Sequence, residues 1–172
     1  IASSERAETI EWNEKTKKAL GKFLANGERK KIVHDGKALL HLMAKENISV
    51  EGMVFDTMLA SYCLNPGADQ TIETLLLERF GEDTDGLAPG EKAKLLFALE
   101  ESLKAELEKV SREQTEPHTV MAVFQDIEMP LLHILYRMEE KGICLDKQVF
   151  VGLSRELEKT IKELEGSIYT LA

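Results

Sequence analysis

The run KKIVHDGKALLHLMAKENI, residues 30–48, passes from a short apolar stretch straight into a helical pattern, and His34 and Asp35 stand at the junction. An acidic residue at the end of a buried strand is a common place to hold a catalytic metal, because hard divalent cations take oxygen ligands. The same position suits a helix N-cap, whose carboxylate accepts from the N–H groups of the first turn. The carboxylates that could converge on Asp35 decide between the two roles. Other chemistry-bearing residues offer less. His34, His41, His118 and His133 show no metal-ligand spacing and read as surface or boundary residues. Cys63 and Cys144, far apart and in apolar surroundings, read as two buried free thiols in a reducing compartment. No glycine-rich phosphate loop is present.

The elements that must position Asp35 follow from pattern. Residues 13–26 predict a helix ended by Asn26-Gly27, and Ile32 and Val33 a brief strand before the helix GKALLHLMAKEN. Val50 to Phe55 repeats the extended pattern, Asp56 is placed to cap, and TMLASYCL is a short helix stopped by Asn65-Pro66-Gly67. Strand–helix–strand–helix of this kind predicts part of an α/β sheet. Beyond residue 67 the signal is helical. TIETLLLERFG ends at Gly81, and EDTDGLAPG is a loop. Residues 91–111 form an amphipathic helix with Leu95, Leu96, Leu99, Leu103, Leu107 and Val110 as its stripe. Pro117 falls near the start of another helix, Pro130 kinks it, and Gly142 stops it. In the last run Leu153, Leu157, Ile161, Leu164, Ile168 and Leu171 recur at spacings of three and four, a narrow coiled-coil-like seam that needs a partner helix.

At 172 residues, 43% hydrophobic and 31% charged, the chain can bury a core, and its net charge of −9 argues against a surface that coats nucleic acid generally. A local basic groove stays open. Lys15, Lys17 and Lys18 make one basic cluster and Arg29, Lys30 and Lys31 another, and both read as solvated charge. Trp12 reads as a packing anchor, and Met43, Met53, Met58, Met121, Met129 and Met138 as core packing. No segment approaches a membrane span, and IASSERAETIEW has no signal-peptide character. The missing initiator methionine and the unpartnered seam lead to the expectation that the chain is cut from something longer.

The segment AVFQDIEMPLLHILYRMEEKGICLD and the following LSRELEKTIKELEGSIYTLA resemble the junction between the exonuclease and polymerase domains of family A DNA polymerases, the bacterial polymerase I type. The pattern comprises Ile127, Glu128, Pro130 and Leu131, then Met138, Glu139, Gly142 and Asp146, then a long Leu/Ile helix ending in Ile-Tyr-x-Leu-Ala. Upstream, VEGMVFDTMLASYCLNP is similar to a stretch inside the family's 3′–5′ exonuclease domain, and VHDGKALLHLM falls where the family carries its second exonuclease acid. The resemblance implies an α/β, mostly helical fold. Residues 1–116 would be the C-terminal part of a ribonuclease H-like (DnaQ-like) exonuclease domain, and residues 117–172 a linker helix and the first thumb helix. It also implies a cytoplasmic, nucleoid-associated parent that acts on primer-template DNA and dNTPs, with Mg²⁺ in a palm beyond Ala172.

Exonucleolytic hydrolysis in this family uses two divalent metals, which repel each other and are held ~3.5–4 Å apart by a carboxylate cluster. The resemblance supplies Asp35 and little else. The family's Asp-x-Glu strand would precede Ile1, and Lys31 replaces its asparagine four residues before the acid. Where a later helix should present Tyr-x-x-x-Asp, the chain reads KAKLLFALEESLKAEL, and no aspartate occurs between Gly86 and Gln125. Glu100 and Glu101 read as a solvent-facing row. A lone carboxylate does not hold a metal pair. Asp35 is therefore expected to be a vestigial match, with no catalytic, cofactor-binding or metal residue in this chain. The alternative is a stand-alone interaction module, derived from the exonuclease fold, that binds a partner through its C-terminal helix. For the chain in isolation, the Leu153–Leu171 seam predicts self-association.

Overall fold

A computed structural model describes residues 11–115 and 118–171, so the role read for Pro117 lies outside the described residues. These divide into two compact units, the first ending at Glu140 and the second beginning at Lys141.

In the first unit, helix α1 (Glu14–Leu24) starts at a capping box. The Asn13 side chain accepts from the N–H of Lys15 and Thr16, and the Thr16 hydroxyl accepts from the N–H of Asn13. Strand β1 (Lys31–Val33) pairs in parallel with β2 (Met53–Asp56), and α2 (Gly36–Lys45) makes the crossover. The turn into β2 depends on Gly52. Its φ is +73°, and a Cβ there would stand 2.7 Å from the carbonyl oxygens of Gly27 and Arg29. Strand β2 runs without a loop into α3 (Thr57–Leu64), and α4 (Ile72–Phe80) follows, capped by Thr71 and ended by Gly81 in the left-handed region.

Helix α5 (Pro89–Glu113) packs on α3, α4 and β1. Its stripe forms the centre of the core: Leu99, Leu103 and Leu107 are fully buried among Phe55, Ala60, Leu75, Leu76 and Phe124. A second cluster joins Leu24, Leu40, Met43, Val50 and Leu132. Phe124 and Leu132 come from the segment that the sequence groups with the C-terminal helices. That segment comprises α6 (Val120–Ala122), a π-helical stretch (Val123–Glu128) and α7 (Met129–Lys141). The π turn has a local cause. Pro130 has no N–H and its ring crowds the carbonyl four residues back, so the preceding turn widens, and Met129 N–H donates to the Phe124 carbonyl five residues back. Phe124 then meets the Phe55 ring at a centroid distance of 4.9 Å.

The second unit is α8 (Lys147–Leu171), whose apolar seam is exposed along its whole described length. No helix among the described residues is long and apolar enough to cross a membrane.

Five residues differ from their sequence reading. Cys144 is exposed and Cys63 only half-buried, so the pair of buried thiols is not found. Trp12 is 46% exposed rather than a packing anchor, and Met138 lies outside the core at 62%. Lys31 is not a solvated charge: it is 6% exposed, and its ammonium donates to the carbonyls of Asn26, Arg29 and Glu51 at 2.6–2.8 Å. Three carbonyl acceptors replace the water that burial removes, while desolvation holds its pKa below the ordinary lysine value.

Candidate functional site

The parallel pair β1–β2 brings the ends of two strands together, and each strand leads directly into a helix N-terminus. Val33 is opposite Asp56 in the register, so His34-Asp35 and Asp56-Thr57 become neighbours although 21 residues separate the two aspartates.

Asp35 caps α2. Its carboxylate accepts from Ala38 N–H at 3.1 Å, and its backbone sits in the left-handed region at φ 56°, which aspartate tolerates better than most residues. Asp56 has a larger structural role. Its Oδ1 accepts from Met58 N–H at 2.9 Å and from the N–H groups of Leu59 and Asp35 at 3.3 Å, while its Oδ2 accepts from Gly36 N–H at 2.7 Å. One fully buried carboxylate thus caps the N-termini of both α2 and α3. Burial pushes its pKa up, and the N–H donors of Gly36, Leu59 and Met58 pull against that. Gly36 is needed here: a Cβ would come within 3.1 Å of the Asp56 carboxylate, Val33 and Leu132.

His34 lies beside this pair. The Thr57 hydroxyl oxygen lies 2.9 Å from His34 Nδ1 and 3.3 Å from the Val33 carbonyl oxygen. Burial lowers the His34 pKa, which favours the neutral ring. Next to it a cavity of about 360 Å³ opens between β1, α1, α2 and α5. Leu20, Val33, Leu39, Met43, Leu96 and Phe97 line it, with His34, Lys30 and Lys31 as polar or charged members, and no carboxylate among its described lining residues.

A two-metal centre does not fit these donors. Asp35 and Asp56 are adjacent, but Asp56 has its oxygens filled by backbone N–H groups, and α5 turns leucines toward the sheet. Among the described residues no three His, Cys, Asp or Glu side chains are grouped to hold a metal ion. Glu101 is exposed and Glu100 half-buried, and neither joins the strand ends. The double-capping role of Asp56 went unread in the sequence beyond its place before α3, because its bonds to Asp35 and Gly36 depend on strand register.

The family described as "DNA polymerase I, ribonuclease H-like domain" matches residues 3–83. DNA polymerase I of Bacillus subtilis is 30% identical over 171 residues, covering 87% of this chain and 18% of that protein. The chain is related to bacterial DNA polymerase I. The Treponema pallidum DNA polymerase I is 31% identical over 164 residues, covering 82% of this chain and 16% of its own length. The chain therefore spans less than a fifth of either relative. The fold is shared with the polymerase domain of Pol1 from M. smegmatis, solved in complex with DNA primer-template and dNTP. The TM-score is 0.69 at 23% identity, covering 88% of this chain and 26% of that one. The mostly helical α/β architecture, ribonuclease H-like and followed by long helices, is that of the polymerase I family.

Proposed function

We propose that this chain is the exonuclease-like domain and first thumb helix of a DNA polymerase of the polymerase I type, and that the exonuclease-like domain serves as scaffold. The parent would carry out template-directed nucleotidyl transfer from dNTPs onto primer-template DNA, in replication and repair in the bacterial cytoplasm. Its Mg²⁺ would lie in a palm outside these 172 residues. The observation that carries the scaffold reading is the buried leucine face of α5 over the sheet, beside an Asp35 carboxylate engaged in capping. A lone capping carboxylate supplies neither the charge nor the oxygen count of a metal pair.

Calorimetric titration of the chain with Mn²⁺, beside the Asp35→Asn variant, tests the scaffold reading. Asp35→Asn keeps an N-cap acceptor while removing the charge. The expected result is identical titrations, together with primer extension but no single-strand 3′–5′ degradation by the full-length product. Saturable Mn²⁺ binding abolished by Asp35→Asn would overturn the scaffold reading.

A second reading, an interaction module related to the exonuclease fold, draws on the exposed seam of α8. Primer extension by the full-length product separates the two. On either reading, the isolated chain pairs with a second copy through Leu153–Leu171.

A further inference from the structure

The seam of α8 keeps one frame of a seven-residue repeat. Phe150, Leu157, Leu164 and Leu171 fall at d positions, and Ser154, Ile161 and Ile168 at a positions, with steps that alternate between four and three. All six apolar members are exposed. Lys147, the a position before Ser154, is the first residue of the helix and is exposed to water. The two sides of the seam differ in charge. The e side carries Val151, Glu158 and Glu165, and the g side Leu153, Thr160 and Ser167. The Thr160 hydroxyl donates to the Glu156 carbonyl at 3.0 Å and the Ser167 hydroxyl to the Glu163 carbonyl at 2.9 Å, so both hydroxyl protons are engaged within the helix. The cations Arg155, Lys159 and Lys162 stand at b and f positions, off the seam.

We propose that in the isolated chain α8 pairs with α8 of a second copy as a parallel, in-register, two-stranded coil. This rests on the reading that the seam takes a second copy, and adds the orientation and the stoichiometry. Two features select the arrangement. Isoleucine at a with leucine at d favours two parallel strands. Charge selects the same direction. In a parallel pair each g residue faces the e residue of the next repeat, which sets Leu153 beside Glu158 and Thr160 beside Glu165 of the other copy, and no like charges oppose. Reversing one helix sets e against e. Glu158 then faces Glu165 or Glu158 of the other copy in the registers that keep the seam overlapped, and no cation at e or g relieves the repulsion. The parallel register also brings Ser154 against its own counterpart, whereas the reversed one brings it against Leu171.

Disulfide trapping in the whole chain reads the orientation, and sedimentation equilibrium reads the stoichiometry. Cys144, which is exposed, is changed to Ser, while Cys63 stays in place, because burial pushes its pKa up to about 11 and keeps it a poor thiolate. In that background Ser154→Cys and Leu171→Cys are made separately, one of them tagged, and each is equilibrated in a glutathione redox buffer alone and mixed with the other. Each variant alone should form a covalent dimer, and the mixture should give almost no cross-link between the two, whose sites lie ~25 Å apart along the helix. Adding Leu157→Glu and Leu164→Glu should lower the covalent fraction at least ~10-fold. Glu158→Gln with Glu165→Gln should change the dissociation constant less than ~3-fold, because these carboxylates face uncharged neighbours. Sedimentation should fit the mass of two chains. Cross-linking in the mixture but not in either variant alone, or marked tightening by the two Gln changes, would overturn the orientation and leave the second-copy reading standing. A trimer would overturn the two-stranded coil, and a chain that stays monomeric at every concentration would overturn both.

Discussion

Asp35 and Asp56 end adjacent parallel strands, yet they are differently engaged. Asp35 accepts one backbone N–H, whereas Asp56 accepts four shared between two helices. Truncating Asp56 strips both caps at once and leaves buried donors without partners. Asp56→Ala should therefore lose ~2–4 kcal/mol in denaturant unfolding, more than the ~1 kcal/mol expected of an ordinary cap. A second residue-scale effect lies along α2. His41 Nε2 meets Glu139 at 2.8 Å and Nδ1 meets Glu140 at 2.9 Å, its ring is edge-on to Tyr136, and Lys37 also holds Glu139. Hydrogen bonds from His41 to Glu139 and then Glu140 raise its pKa above 6.5. The folded state thus favours the charged ring, so this contact is fully present below pH 6.5 and is lost as pH rises through the elevated value. NMR titration should find His41 ionising above 6.5 and the Glu139→Gln, Glu140→Gln double variant bringing it down.

Among the elements, α5 and α8 share a length of 25 residues and an apolar stripe, but have opposite surroundings. Leu99, Leu103 and Leu107 of α5 are fully buried, while Leu157 and Ile161 of α8 are 53% exposed. An isolated stripe of that kind gains from burial against another helix, at ~25 cal/mol per Å² of apolar surface. Sedimentation of the isolated chain should accordingly show concentration-dependent association. Leu157→Glu with Leu164→Glu, which puts charge into the seam, should return it to monomer. The π stretch before Pro130 is an element-scale feature of another kind. Proline announces an irregularity, but whether it bends the helix or widens a turn depends on what the freed side chains reach, here the Phe55 ring for Phe124.

At the scale of the whole molecule, the local rules made most of the fold legible. The Asn13 box, the Asp56 and Thr71 caps and the Gly81 and Gly142 stops mark element ends, and the leucines at 99, 103 and 107 mark the core face. The motifs in residues 122–172 carry the family resemblance by themselves. Long-range partnerships were not legible. Lys31 reads as one of three basic neighbours, and only the meeting of residues 26–31 with Glu51 puts it under three carbonyls and leaves Arg29 and Lys30 outside. Asp35 reads from the sequence as a vestigial match at a helix start, but the buried Asp56 carboxylate that bonds its backbone N–H does not read so. Sequence by itself determined the helices, their caps, the family and the local charge excess, because capping, periodicity and charge act over a few residues. Tertiary structure decided which carboxylate caps two helices and which cations remain in water, because desolvation and hydrogen bonding depend on neighbours that only the register of β1 on β2 and the packing of α5 bring near.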